Sequence, residues 1–254
     1  MDIEKIYSEI RKTAVTEIEK IDGKKKWERN KWTPELGTFY ISVFRGNAIE
    51  KASIARISLE VKRVVEGPGE TLNITRLDGL QVNLFPSNPL LPIALFNLER
   101  RQLTGGIRLG GYISIFQMKD CDEITKGIKK AFSSVVKSTG KSKDQVLKEY
   151  GDIWQDLDWQ FKGEKGIGMK ISGDDTNLDN MKNAVIYLLK SCLDCVAEKK
   201  DSSFSEEDEN LMFSFRFKLS EFILVKDPST KICFEKGVGL ETLSSMILPP
   251  VVRF

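Results

Sequence analysis

From residue 3 to residue 21, Ile3, Ile6, Ile10, Ala14, Ile18 and Ile21 recur at helical spacing, with charged and small residues between them. The period predicts an amphipathic helix with one buried stripe, stopped by Gly23. From residue 37 the period changes to two. "TFYISVF" sends Phe39, Ile41 and Val43 one way, and "ASIARISLEVKRV" sends Ala55, Ile57, Leu59 and Val61 to one face with Arg56, Ser58, Glu60 and Lys62 opposite. A half-exposed antiparallel pair joined at Gly46-Asn47 is expected. "GLQVNLF", "PIALFNL" and "GIRLGGYISIFQM" read as further strands, separated by Gly and Pro.

Beyond residue 121 helical spacing returns. "CDEITKGIKKAFSSVVKS" reads as a helix, Ser142-x-x-Gln145 as a capping box before "KDQVLKEYGDIWQDL", and "TNLDNMKNAVIYLLKSCLDCVAEKK" as a long amphipathic helix. "KKDSSFSEEDEN" reads as a charged, solvated loop. In "LMFSFRFKLSEFILVKD", Phe213, Phe215, Phe217 and Leu219 alternate with Ser214, Arg216, Lys218 and Ser220, which predicts a strand. No internal repeat or low-complexity linker divides the chain, so a single domain over 1–254 is expected, with helix 1–22 packed on it. The implied class is α+β: an antiparallel sheet of about six or seven strands with helices on its faces.

The 254 residues include 39 Lys and Arg against 37 Asp and Glu. That balance provides no overall field to attract nucleic acid or an anionic membrane. No apolar run is long enough to span a membrane, and residues 1–25 lack the apolar core of a signal peptide, so cytoplasmic residence is expected. The 4 cysteines, with Cys192 and Cys195 on one helical side, read as small buried residues rather than a disulfide scaffold. The count of 0 histidines changes the picture most, because it removes His-dependent triads and His-ligated zinc or haem.

Local motifs are weak. "GEKGIGMKISGDD" lacks the ending of a P-loop and reads as a turn between packed elements. "EEDE" at 206–209 lacks EF-hand spacing and reads as surface. Trp27 and Trp32 flank a basic stretch without a supporting nucleic-acid motif. Asp227, between an apolar run and Pro228, suits either a carboxylate aimed into a cleft or a turn initiator, and the turn reading carries more weight.

Five stretches taken together resemble the oxygen-dependent coproporphyrinogen-III oxidases. "KKWERNKW" is similar to that family's Trp-Glu-Arg segment, and "RGNAIEKASIARIS" to its Asp-Gly-x-x-x-Glu-Lys-Ala-Gly-x-x-x-Ser hairpin, with Glu50, Lys51 and Ala52 on Glu-Lys-Ala. "SNPLLPIALFNLE" resembles its Asn-Pro-x-x-Pro-Thr-x-His-x-Asn-x-Arg strand at Asn88, Pro89, Pro92 and Asn97. "GEKGIGMKISGDD" and "SEFILVKDPSTKICFEKGVGLETLSSMILPPVVRF" look like its Gly-Ile-Gly segment and its closing strand through Leu-Pro-Pro. The resemblance implies a flat antiparallel sheet between helix layers, a homodimer, a tetrapyrrole ligand with propionate groups, and oxidative decarboxylation of that substrate in haem biosynthesis without a metal or organic cofactor.

The functional positions diverge. Leu95 stands where the family has His and Glu99 where it has a substrate-facing Arg; Gly110 and Gly111 remain of a Gly-rich segment that has lost its Asp; Asp-Arg becomes Asp227-Pro228; and Lys165 replaces an Arg. Each missing Arg–carboxylate pair weakens substrate binding by about 1.5–3 kcal/mol, and Glu99 adds repulsion toward an anionic substrate. The expectation is a catalytically degenerate homologue acting as a binding or scaffold protein. The alternative is an active porphyrinogen oxidase in which Asp227 is the catalytic carboxylate and Lys165, Arg100, Arg101, Asn97, Gly110 and Gly111 hold substrate. A third reading is a ligand-binding module whose cleft has become apolar around Leu95, Ile113 and Ile115.

Overall fold

The fold is described from a computed structural model covering residues 3–23, 26–67, 70–116, 166–170 and 178–253, with helical positions 122, 123, 126, 127, 130 and 133. The period-2 segments form a seven-stranded antiparallel sheet in which every strand lies beside its sequence neighbour: β1 (Trp27–Trp32), β2 (Gly37–Phe44), β3 (Ile49–Gly67), β4 (Glu70–Pro86), β5 (Ile93–Leu103), β6 (Gly106–Phe116) and β7 (Gly166–Lys170). Five α-helices have described bounds: α1 (Ile3–Asp22), α2 (Leu178–Lys199), α3 (Glu206–Glu221), α4 (Pro228–Glu235) and α5 (Leu240–Met246).

Both faces of the sheet are covered, so two separate cores form. On one face the α1 stripe of Ile6, Ile10, Ala14 and Ile18 packs with α2 against Ile54, Leu80, Phe96 and Ile113. On the other, Phe215 and Leu219 of α3 and Leu243 and Met246 of α5 meet Phe39, Ile41, Ala55 and Leu95. The β2–β3 pair is half-exposed only in part: Tyr40 and Glu60 reach solvent, and the face between them is covered. Its Arg56 face lies under α1, where the guanidinium sits 4.5 Å from the Tyr7 ring, donates to the Gly79 carbonyl at 2.9 Å and pairs with Glu4. Strand alternation is preserved, with α1 covering the polar face at Arg56.

The stretch 211–227 is not a strand. Residues 206–221 are the helix α3, followed by a π-helical turn over Phe222–Lys226. Two local signals explain it. Ser205 and Asp208 form a capping box, and Glu206, Glu207, Asp208 and Glu209 place negative charge in the first turn, where the helix dipole favours it. Met212, Phe215, Arg216, Leu219 and Ile223 are buried at helical spacing, whereas Phe217, one of the alternating set, is exposed. The charged loop is correspondingly shorter than the sequence pattern suggests, because its "EEDE" is the start of α3.

Residues 166–170, expected as a turn, pair with β6 as the edge strand β7. β1 has a similar origin: Trp27 donates to Glu19 at 3.0 Å and packs on Phe44 at 5.3 Å, so it fastens α1 to the sheet instead of offering a stacking platform. The reading of all cysteines as buried thiols holds for Cys192. Cys195 is also buried but is disulfide-bonded, and Cys233 is a half-buried thiol. The capping box at 142–145 and Lys165 lie outside the described residues.

Candidate functional site

The Gly46-Asn47 turn is fixed by α1. The Asp22 carboxylate, at the end of that helix, accepts from the backbone N–H groups of Asn47, Ala48 and Ile49 at 2.6, 2.8 and 3.0 Å. A β-bulge follows: Ile49 pairs with Pro86 and Lys51 with Phe85, leaving Glu50 as the extra residue. A bulge turns two successive side chains to one side, and here Glu50 and Lys51 both face α3 and α5. Glu50 Oε2 accepts from Arg216 Nη1 at 2.7 Å, while Arg216 Nη2 donates to the Pro86 carbonyl at 2.9 Å. Lys51 Nζ donates to the Ser244 and Leu248 carbonyls, each at 2.5 Å. Burial, with a smaller contribution from Arg45, lowers the Lys51 pKa to about 7. Asn83 Nδ2 and Ser53 Oγ both donate to the Met246 carbonyl. The Glu50-Lys51 step is thus a polar anchor that fastens α3 and α5 to the sheet.

Beside this anchor lies a cavity of about 250 Å³ between the sheet and the helices α4 and α5. Its floor follows from strand register. One row across β3, β4, β5 and β6 reads Ala55, Gln81, Asn97 and Tyr112, and the next reads Ile57, Gly79, Glu99 and Gly110. The small residues make room, and the polar ones rise beside it. Leu36, Phe39, Leu59 and Ile74 supply apolar wall from the sheet side, and Cys233, Leu243 and Met246 supply it from the helices.

The cavity's charged groups already have partners. Glu99 accepts from Asn97 Nδ2 at 2.7 Å and from Arg101 Nε and Nη2 at 2.8 and 2.5 Å. Asp227 Oδ2 accepts from the Thr230 backbone N–H at 3.2 Å and its hydroxyl at 2.9 Å, which is an N-cap on α4. Burial first, then the Asp227 and Glu99 charges, push the Tyr112 hydroxyl pKa upward, so it stays protonated. Burial likewise raises the Cys233 thiol to about 11, which leaves it a poor nucleophile near neutral pH.

The predicted site residues are thereby divided. Asn97, Arg101 and Asp227 line this cavity. Gly110 provides the flat backbone on which the Arg101 guanidinium lies, since a Cβ there would fall 3.0 Å from Arg101 Cζ. Gly111 has φ +128° and would place a Cβ 2.0 Å from the Asn97 carbonyl oxygen, so its role is backbone approach. Arg100 alternates to the α1 side and does not line the cavity. Ile113 and Ile115 also belong to the α1 and α2 core, and Leu95 packs in the other core without lining the cavity, so the apolar-cleft reading had the wrong residues. Sequence reasoning missed Gln81 and Tyr112. Strand register could have found them, because both sit in the row of Asn97.

Among the described residues no helix is long and apolar enough to cross a membrane, and no group of three or more His, Cys, Asp or Glu side chains is placed to hold a metal. The fold and site define an α+β protein with a mixed, mainly apolar cavity between the sheet and the helices α4 and α5. No protein-family model matches the chain, and no curated protein matches it.

Proposed function

We propose that this chain is a catalytically silent relative of the oxygen-dependent coproporphyrinogen oxidases, a binding or scaffold protein that uses their sheet-and-helix frame without their chemistry. The observation that carries this reading is how the cavity's charges are disposed. Among the described residues lining it Arg101 is the only cation, and Glu99 holds it. Asp227, the one carboxylate at a family catalytic position, caps α4.

Size supports the same reading. A cavity of about 250 Å³ is below the roughly 300–1,000 Å³ of pockets that enclose drug-sized ligands, and a tetrapyrrole is larger than most of those. The retained Glu-Lys-Ala step is accounted for by anchoring, because Glu50 and Lys51 face α3 and α5 rather than the cavity.

The test is incubation of the purified chain with reduced coproporphyrinogen and oxygen, with the porphyrin products separated after oxidation. No vinyl product above the protein-free background is expected. Production of protoporphyrinogen at an ordinary enzymatic rate of about 1 s⁻¹ or more would overturn the proposal.

A further inference from the structure

We infer that the cavity between the sheet and the helices α4 and α5 binds a neutral carbonyl compound of one or two rings, such as a cyclic ketone, whose oxygen accepts from the Tyr112 hydroxyl and from Arg101 Nη1. The inference rests on the preceding reading, in which the cavity does not serve a tetrapyrrole.

Tyr112 supplies the first donor. Its half-buried side chain lines the cavity. The hydroxyl has no hydrogen-bond partner among the described residues and keeps accessible surface, unlike Gln81 Oε1, which is sealed and takes no part. Burial and the nearby carboxylates hold the hydroxyl protonated near neutral pH, so it is available to donate. A hydroxyl that reaches a cavity without a protein partner is left for whatever fills that cavity to satisfy.

Arg101 supplies the second. Its Nε and Nη2 both donate to Glu99 Oε2, at 2.8 and 2.5 Å, and the guanidinium lies over Gly110, while Nη1 has no acceptor among the described residues. The Arg101 side chain is 35% exposed, so this edge is open to a ligand. Gly110 and Tyr112 are alternate residues of β6 on its cavity face, which sets the guanidinium one same-face step along the strand from the phenol ring. Two neighbouring donors without an acceptor suit a carbonyl oxygen, whose two lone pairs can take both.

The Glu99–Arg101 pair decides the ligand's charge. A ligand carboxylate on Nη1 would share one guanidinium with the Glu99 carboxylate and be repelled by it, and an ammonium would meet two donors and a like charge. A neutral oxygen meets neither repulsion. Volume decides the body: a dry cavity of about 150 Å³ holds benzene, so about 250 Å³ with apolar walls suits one or two rings.

The experiment uses the whole chain with three probes, 1-tetralone, its hydrocarbon parent tetralin and the anion 1-naphthoate, and reads affinity by ligand-observed NMR. 1-Tetralone is expected to bind more tightly than 1-naphthoate. Tyr112→Phe should lower the ratio of 1-tetralone to tetralin affinity about three- to tenfold, the loss of one hydrogen bond, while tetralin binding stays unchanged. The variant should keep the wild-type melting temperature, because no hydrogen bond within the protein is removed.

An unchanged affinity ratio in Tyr112→Phe, tighter binding of 1-naphthoate than of 1-tetralone, or no binding of 1-tetralone would each overturn the inference. So would a large fall in the Tyr112→Phe melting temperature, which would mean that the hydroxyl serves the fold. None of these measurements involves porphyrinogen turnover, so failure here is distinguishable from failure of the functional reading.

Discussion

Removing the Glu50 carboxylate tests the anchor at the centre of this fold. The Arg216 side chain is 0% exposed, and its Nη1 is held by Glu50 at 2.7 Å, with Nη2 on the Pro86 carbonyl. Its Nε has no partner among the described residues, so one buried donor is already unsatisfied. Desolvation lowers the Arg216 pKa, opposed by Glu50, which marks the carboxylate as the principal compensation for burying the charge. Truncating one partner of a buried pair leaves an uncompensated charge and costs about 3–5 kcal/mol. The Glu50 side chain is 30% exposed, and solvent reaching that end reduces the expected loss to about 2–4 kcal/mol for Glu50→Ala. Glu50→Gln retains an acceptor without the charge and should lose roughly 1–2 kcal/mol. Removing both charges in Glu50→Ala with Arg216→Met should restore stability relative to Glu50→Ala alone, because the desolvation cost disappears with the guanidinium. Urea unfolding followed by tryptophan fluorescence measures the wild type, both Glu50 variants, Arg216→Met alone and the double variant. A Glu50→Ala loss below about 1 kcal/mol, or strictly additive single effects, would refute the account of Arg216 as a buried charge that depends on this carboxylate.

Lys51 makes stability depend on pH. Its folded pKa of about 7 lies below the ordinary 10.5, so the unfolded chain binds more protons between those values, and stability should rise as pH increases from about 7 toward 10.5. Below pH 7 this contribution levels off; Lys51→Met should remove the slope, and a Lys51→Met urea series with the wild-type slope would contradict it. Gly111→Ala, which combines φ +128° with a Cβ 2.0 Å from the Asn97 carbonyl oxygen, should lose about 3–5 kcal/mol, whereas Gly79→Ala should be neutral or slightly stabilising. Thermal unfolding of both variants checks the contrast. Asp227→Ala should cost about 1 kcal/mol through the α4 cap, and Asp227→Asn considerably less, because an Asn also caps. If Asp227→Asn is as costly as Asp227→Ala, the carboxylate has a role beyond capping.

Much of the frame was legible because it is local. The six apolar residues of α1 and the alternation in β2 through β6 state their period within a few turns or pleats, and the structure places those elements where the pattern does. The strand expected at 211–227 failed because two periods coexist there. Phe213, Phe215 and Phe217 alternate, yet Phe217 is exposed while Met212, Arg216 and Leu219 are buried along with Phe213 and Phe215, and the capping box at Ser205 decided between the two periods. Of the site, Asn97, Arg101 and Asp227 were named from sequence and do meet at one cavity. Arg100 was not separable from Arg101 until β5 had a register, since adjacent strand residues face opposite ways.

The sequence by itself determined the absence of histidine chemistry, the near-balance of charge, and the periods that make a sheet between helices. Tertiary structure alone decided that Glu50 meets Arg216 across 166 residues of chain and that Lys51 meets the Leu248 carbonyl across 197. It also decided that Glu99 closes on Arg101 at the wall of a cavity. Periodicity is a property of neighbours along the chain, whereas a pocket's charge balance depends on which distant side chains burial forces to pair.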